Sequence, residues 1–419
     1  MGKPAIRYSD LFTKTSMAAP QEENSANARL LVRAGYVSRV MAGVYAYLPL
    51  GKRVLDKIEA IIHDEMQAIG GHELLLPGLH PQENWKATGR WDKFDVLFKT
   101  HGEDGPEYAL GPTHEEVIVP VVKSFVQSYR DLPFYTYQIQ TKFRNELRPK
   151  SGLLRGREFR MKDLYSFHAT QDDLDAYYEK ALQAYINVFE RCGIGSVTVP
   201  TIASGGTFSE WSHEFQTETA AGEDTVYYSA AKQMAVNDEV KDKVLAQEDW
   251  ANETLETRKT IEVGNIFKLG TKFAEDFGVK FQDSDGNSIH PVIGCYGIGT
   301  TRLLGAIAEV CHDENGLIWP ESIAPFDVHV AQVGKGDELA AFTETVLAQL
   351  KALDLDVLLD DGPGSFGSKM KDADLIGIPV RIVIGSRAVK ANAVEVKRRT
   401  DKDAEMIALD ALADYFRAG

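Results

Sequence analysis

The sequence predicts an α+β chain in two parts: an antiparallel sheet with flanking helices over residues 1–324, then a smaller α/β domain over 325–419. Three observations predict this. Thr141–His168 reads as two strands around a polar middle, with Phe143, Leu147, Phe159, Met161, Leu164 and Phe167 as apolar positions and Gly152 and Gly156 in a hairpin loop. Stretches with helical spacing flank it, Lys52–Ile69 before and Gln171–Cys192 after. Beyond Pro320–Pro325 the chain alternates between short strand-like and helical units.

Composition bounds the function classes. The 419 residues are enough for two or three domains, and 44% hydrophobic with 26% charged residues describes a soluble globular protein. No run is long enough for a membrane span, and the N-terminus lacks the apolar core of a signal peptide. Three widely spaced cysteines, Cys192, Cys295 and Cys311, form no CxxC pair. Neither a disulfide framework nor a cysteine zinc site is expected, and a cytoplasmic setting is. The net charge of −16 argues against a protein that coats nucleic acid, while leaving room for a local basic patch.

In order along the chain, Ser25–Ala34 predicts a helix, and Gly35–Val37 and Gly43–Gly51 predict short strands and a turn. Lys52–Ile69 carries Val54, Leu55, Ile58, Ile61, Ile62, Met66 and Ile69 at helical spacing; Gly70-Gly71 stops it, and a strand over Glu73–Leu76 ends at Pro77. Trp85–Phe98, aromatic and mixed in charge, reads as a packed surface segment. In Tyr108–Val122, Gly111-Pro112 makes a turn and Thr113 is placed to cap a helix, with Glu116 at the capping-box position. Thr113 and Glu115 are alternatively ligand-recognising, because a carboxylate is suited to hold the secondary ammonium of an amino acid. Gln171–Cys192 puts Leu174, Tyr177, Tyr178, Ala181, Leu182, Tyr185 and Phe189 on one face, which reads as core. Val197–Val199 is a strand. Ser204–Phe215 (SGGTFSEWSHEF) reads as a loop whose glycines allow close approach to a ligand. His213 in it is either a pocket residue or a satisfied structural histidine. Residues 229–260 are charged and predict a short helical connector. Ile261–Phe273 is strand-like; Glu262 is either a ligand for a nucleotide-bound metal ion or a solvent-facing strand carboxylate. Residues 292–308 (VIGCYGIGTTRLLGAIA) form a glycine-rich strand-to-helix turn, and Arg302 in the first helical turn can point at phosphate. The spacing of Gly294, Gly297 and Gly299 does not match a dinucleotide fingerprint.

Charge is concentrated on the central hairpin. From Lys142 to Lys162 there are eight Lys or Arg against two Glu, in a chain that is acidic overall. Arginines on sheet strands present a rigid fork suited to phosphate and carboxylate.

Phe143-Arg144-Asn145-Glu146 with Gly156-Arg157-Glu158-Phe159 resembles motif 2 of the class II aminoacyl-tRNA synthetases. With Met161–His168 after it, the stretch is similar to the bacterial-type prolyl-tRNA synthetases. Lys52–Pro77 resembles motif 1, and residues 292–308 resemble motif 3. The C-terminal units, with Ile376–Pro379 and Val383–Gly385, resemble the anticodon-binding domain shared by several class II enzymes. The resemblance implies a class II catalytic domain, ATP and Mg2+ as cofactors, L-proline and tRNA(Pro) as substrates, and a homodimer through Lys52–Pro77. It implies proline contacts from Thr113, Glu115, Arg144, Met161, Asp163, Tyr165, His213 and Cys295, with Met161, Asp163 and Tyr165 on one strand face. For ATP it implies Arg144, Glu146, Arg157, Glu262, Thr300 and Arg302, with Arg144 and Arg302 as the catalytic arginines, and for the tRNA acceptor end Arg148. Lys369, Lys371, Arg387 and Lys390 are either tRNA contacts or solvated surface charges. Residues 229–260 stand where many bacterial members carry a large editing insertion, and about thirty residues cannot bury such a domain's core. The resemblance therefore implies reliance on a separate hydrolase for mischarged alanyl-tRNA. Two other readings remain: another class II enzyme, threonyl or seryl, though the scarcity of cysteine disfavours a threonyl-type zinc pocket, or a non-catalytic RNA-binding paralogue.

Overall fold

The computed structural model describes residues 4–16, 18, 25–103, 105–206, 208–247, 249–251 and 253–418. Thr207 of the Ser204–Phe215 segment and Glu248 and Asn252 of the 229–260 segment lie outside the described residues. The chain forms two compact units. One comprises residues 40–45 and 58–310, and the other residues 1–39, 46–57 and 311–419.

The larger unit is built on a nine-stranded sheet. Its strands are β1 (His72–Glu73), β2 (Phe134–Phe143), β3 (Glu158–His168), β4 (Thr198–Ser204), β5 (Trp211–Glu218), β6 (Asp224–Ser229), β7 (Met234–Asn237), β8 (Leu255–Gly270) and β9 (Val292–Gly299). They lie in the order β5-β4-β7-β6-β8-β9-β3-β2-β1, with β5 also pairing β8. Pairing is antiparallel except for β1 with β2 and β4 with β7. The hairpin β2–β3 runs from Phe134↔Phe167 to Phe143↔Glu158, so the two expected strands meet in register and β2 starts earlier than expected.

Period-two alternation then decides what each face does. Lys162, Leu164, Ile266, Tyr296 and Ile298 turn to one side and are buried, with the helix α1 (Gln171–Arg191) packed over that side. Tyr178 of α1 donates to the Ile266 carbonyl at 3.1 Å, and Tyr185 meets the Lys162 ammonium at 2.6 Å. The opposite face, carrying Met161, Asp163, Asn265, Cys295 and Gly297, is left for a ligand. A last helix, α2 (Thr300–Val310), runs on from β9 and packs against β3.

Three expectations need correction here. The strand over Glu73–Leu76 is shorter than predicted: only His72 and Glu73 pair, and Leu76 donates its N–H to the Gln138 side chain instead. Residues 229–260 are not a helical connector. They contain β7, a five-residue helix Lys241–Leu245 and the start of β8. Val236, Val240, Val244 and Trp250 make a small core of their own beneath them. Ser204–Phe215 is a loop only in part: Ser204 pairs with Trp211 and the ladder continues through Phe215, leaving the glycines in the turn between. Trp85–Phe98 is a packed surface segment as expected: Trp85, Trp91 and Leu97 are buried with Ala109, while Lys86, Asp92, Lys93 and Asp95 stay exposed.

The second unit has a six-stranded sheet. The strands Val328–Gln332, Val357–Asp360, Val380–Ile384, Ala393–Arg398 and Glu405–Ala408 are joined at one edge by Ile6–Arg7 from the N-terminal region. The helices Asp337–Ala352 and Phe366–Ile376 follow the expected alternation. The expected single boundary near 324 does not describe the compaction, because the first residues cluster with this unit. Arg7 reaches Asp361 and Glu344, and Tyr36 donates to the Ile376 carbonyl at 2.8 Å while accepting from the Trp319 indole at 2.7 Å. Lys369, read as a tRNA contact or a surface charge, is neither. It is buried and donates to Asp360 at 2.8 Å.

Gly51, in the helix Pro49–Ala68, gives a test whose sign is informative. Helix propensity alone makes Gly→Ala stabilising by about 1 kcal/mol. A Cβ at Gly51, however, would fall 2.1 Å from the Tyr36 carbonyl oxygen, which is backbone and cannot swing aside. Gly51→Ala is expected to destabilise by about 1–3 kcal/mol, the cost of overpacking, read as a lowered midpoint in denaturant unfolding.

Candidate active site

Cross-strand register builds the floor of the site. Asp163, Gly297 and Asn265 form one row across β3, β9 and β8, and Tyr165, Cys295 and Phe267 form the next. Gly297 and Gly299 put no side chains on that floor, and a cavity of about 410 Å³ opens above it, within the range for small-molecule sites. It is lined by Thr113, Glu115, Arg144, Glu146, Met161, Asp163, Glu262, Cys295 and Arg302 among the residues singled out in the sequence.

One set of groups is acidic. The short helix Glu115–Val122 starts without a side-chain cap. The expected capping box is absent because both partners are used elsewhere. Thr113 donates to Glu115, and Glu116 accepts from Thr88 at 3.1 Å and pairs with Arg90 at 2.7 Å. Glu115 also accepts the Cys295 S–H at 3.1 Å. Burial and the neighbouring Glu115 carboxylate push the Cys295 thiol well above its usual range, so it stays protonated and acts as a donor. Gly111 is needed in this loop, since a Cβ there would meet the His80 ring at 2.6 Å.

The other set is basic. Arg144 follows β2, is flanked by the Phe159 ring at 5.1 Å and keeps a buried Nε without a hydrogen-bond partner. Burial, and then the neighbouring Arg302, lower its pKa, opposed by Glu262 and Glu146. Arg302, in the first turn of α2, donates to the Glu262 carbonyl at 3.0 Å and to its carboxylate at 3.1 Å. Two guanidinium groups in one cavity, one with an unmet donor, make an anion site, because an orphaned buried donor costs about 1–3 kcal/mol until something accepts from it.

Five expected residues do not line this cavity. His213 sits on the helix-facing side of β5, where its Nδ1 meets the Tyr178 hydroxyl at 2.9 Å. The structural alternative holds for it, because alternation along β5 turns it away. Tyr165 is on the expected strand face but is buried under the Thr113–Glu115 loop, where it accepts the His114 N–H at 3.0 Å and donates to Asp163 at 3.0 Å. Thr300 is buried and donates to Glu59 at 3.0 Å. Arg157 spans the hairpin, donating to the Glu146 carbonyl at 2.9 Å. Arg148 is exposed in the hairpin loop.

The sequence reading missed part of the wall. Phe208, at the tip of the β4–β5 turn, stacks on Phe273 with centroids 5.6 Å apart. Arg90 and Phe94 come from the segment read as surface. Their signal, an Arg among four aromatics, was present but ambiguous, because such clusters are equally common in cores.

Residues 98–311 match the tRNA synthetase class II core domain (G, H, P, S and T), and residues 327–419 match the anticodon binding domain. The proline–tRNA ligase of Anaplasma phagocytophilum is 39% identical over 97% of this chain and 98% of its own length. The chain belongs to the proline–tRNA ligase family. The family member from Agrobacterium fabrum is also 39% identical, over 97% of this chain and 98% of that one. That of Halothermothrix orenii is 34% identical over 98% of each chain, but across 562 aligned positions, so it carries a stretch that this 419-residue chain lacks. The fold is shared with the Giardia lamblia prolyl-tRNA synthetase solved with prolyl-adenylate (TM-score 0.75, 22% identity, 92% of this chain and 74% of that one). It is shared also with the Cryptosporidium parvum enzyme solved with L-proline and AMP (TM-score 0.75, 17% identity, 94% and 76%).

Two histidines of this unit, His80 buried and His213 half-buried, give a pH test. Burial holds His80 and His213 at about 4, below the 6.5 of an exposed imidazole. Between those values the unfolded chain binds more protons than the folded one, so the stability they contribute is present above pH 6.5 and lost as pH falls toward 4. From pH 7 to pH 5 each is expected to cost about 2 kcal/mol. His213→Gln should flatten that slope by its share in urea unfolding at the two pH values, while leaving amino-acid activation within about twofold of wild type, the range expected of a change that removes no substrate contact.

Proposed function

We propose that this protein activates L-proline with ATP to prolyl-adenylate and transfers the prolyl group to tRNA(Pro). The observation that carries the reading is one cavity holding both an acidic pair, Glu115 and Asp163, and an arginine pair, Arg144 and Arg302. A zwitterionic amino acid and a polyphosphate need opposite charges within reach of one reaction centre.

The chemistry needs no protein nucleophile. A carboxylate oxygen of proline attacks the α-phosphorus of ATP, and pyrophosphate leaves with the bond to the α-phosphorus broken. The protein aligns both substrates and stabilises charge on the phosphoryl oxygens. Glu115 and Asp163 take the secondary ammonium, with Met161 and Cys295 against the ring. Arg144 serves the proline carboxylate and the α-phosphate, and its unmet Nε is the donor this leaves free. Arg302 serves the terminal phosphate and Glu146 accepts from the adenine amino group. Mg2+ fits the donor set, since Glu262 is an oxygen ligand of the kind it takes and the buried Asn265 Oδ1 has no partner. Bound with ATP, it would neutralise phosphate charge. In the second step a terminal ribose hydroxyl of tRNA attacks the prolyl carbonyl and AMP leaves; the exposed Arg148 is suited to the acceptor end. The domain at 327–419 is read as the anticodon binder, with the exposed Lys371, Arg387 and Lys390 as candidate contacts.

A homodimer through Lys52–Pro77 is supported by Leu75 and Leu79, which stand exposed at the end of this region. The cytoplasmic assignment is supported by three free cysteines and by the absence, among the described residues, of a helix long and apolar enough to cross a membrane. Without an editing insertion, discrimination against alanine rests on the pocket, where a methylene is worth about 1–3 kcal/mol. Formation of alanyl-tRNA(Pro) and its removal by a separate hydrolase are part of this reading.

The deciding experiment is ATP–pyrophosphate exchange with each amino acid in turn. Strong exchange with proline and weak exchange with alanine are expected. Exchange with threonine or serine instead, or none from folded protein, overturns the reading. Arg144→Ala and Arg302→Ala should each lower kcat for proline by roughly 10²–10³-fold, the usual loss on removing a preorganised donor, with unchanged circular dichroism.

A further inference from the structure

Directly behind the cavity wall lies a buried lysine to which the mechanism gives no part. Lys142, near the end of β2, is 0% exposed. Its Nζ lies 2.8 Å from Asp163 Oδ1 and 2.6 Å from His114 Nδ1. An ammonium has no acceptor, so His114 must accept at Nδ1 and carry its proton on Nε2, which donates to the Pro77 carbonyl at 3.1 Å. Burial, then Lys142, keep this imidazole neutral, at about 2. The other Asp163 oxygen accepts from Gln138 Nε2 at 2.9 Å and from the Tyr165 hydroxyl at 3.0 Å. Lys142 therefore holds two things at once: the position of the Asp163 carboxylate, and that of the residue between Thr113 and Glu115.

The charge count explains why the site needs it. Glu115 and Asp163 both face the cavity. Two carboxylates sharing a low-dielectric site repel. The Lys142 ammonium, 2.8 Å from Asp163, offsets one of the two and anchors its oxygen in place. Among the described residues no other Lys or Arg is in ion-pair contact with Asp163, and Arg144 acts on Glu115 instead. Lys162 is on the opposite face of β3 and is spent on Tyr185 and the Tyr296 carbonyl. His80 is held neutral by burial, at about 4, and Cys295 remains a thiol.

We propose that Lys142 is a positioning residue for amino-acid recognition: it fixes the Asp163 carboxylate and orients the Thr113–Glu115 loop, so that the two acids face one secondary ammonium from fixed places. This rests on the amino-acid activation proposed above.

The test is pyrophosphate exchange with full-length protein, titrating proline and ATP separately. Lys142→Met should raise KM for proline by roughly ten- to a hundredfold, the effect of leaving a buried charge unpaired, with KM for ATP within about twofold. Lys142→Arg keeps a cation against Asp163, so its KM for proline should return to within about fivefold of wild type. A lysine that merely fills space gives an arginine variant no better than the methionine one. Unchanged KM for proline in Lys142→Met, an equal rise in both KM values, or no recovery with arginine overturns the inference. If Lys142→Met does not fold, Lys142→Gln decides by the same rise in KM for proline alone. Wild-type protein that exchanges no proline overturns the activity itself, a separate result.

Discussion

The Lys142 ammonium, buried 2.8 Å from the Asp163 carboxylate, is the contact on which the organisation of the site depends. Removing two ions from water costs several kcal/mol each unless the geometry is close and the remaining lone pairs are met. The surroundings meet them. Gln138 and Tyr165 donate to Asp163, His114 accepts from Lys142, and Gln138 in turn takes the Leu76 N–H. Those partners come from β2, β3 and the loop before the Glu115 helix. Satisfying one ion pair thus ties the central hairpin to the loop that carries Thr113 and Glu115.

The same hairpin carries the opposite requirement two residues further on. Arg144 is half-buried with its Nε unmet, beside Arg302. Glu262 offsets Arg302, and Glu146 is tied to Arg155 at 3.0 Å, so the residual positive field is concentrated at Arg144. A fully paired ion next to an incompletely paired one is what a site for a zwitterion and a polyanion requires: the first sets an acceptor for the ammonium, the second leaves donors for the anion.

Much of this was legible without coordinates. Period-two spacing located both hairpin strands, and the excess of basic residues marked them as the functional stretch. The helices Pro49–Ala68 and Gln171–Arg191 followed from 3.6-residue spacing. Local reading failed where a residue's partner is remote. Charged residues over 229–260 read as helix-prone, but the strands there are set by pairing with β4 and β6 and by the Trp250 cluster. Thr113 and Glu116 fit a capping box, yet Glu116 is claimed by Thr88 and Arg90, more than twenty residues away. His213 could be read from its neighbours in sequence as a pocket residue or a structural one, and one step of strand alternation turned it toward Tyr178.

The sequence by itself determined the long helices and the central strands, the basic hairpin, the glycine-rich turn before Arg302 and the family these stretches resemble, because those properties depend on spacing within a few residues. The tertiary structure alone decided which groups share the cavity and in what state. Register placed Asp163 beside Gly297 and Cys295 beside Phe267, and the β4–β5 turn brought in Phe208. Burial settled the rest: Lys142 and Lys369 are both lysines in the sequence, and only their removal from water, each beside its own aspartate, made them internal ion pairs instead of surface charges.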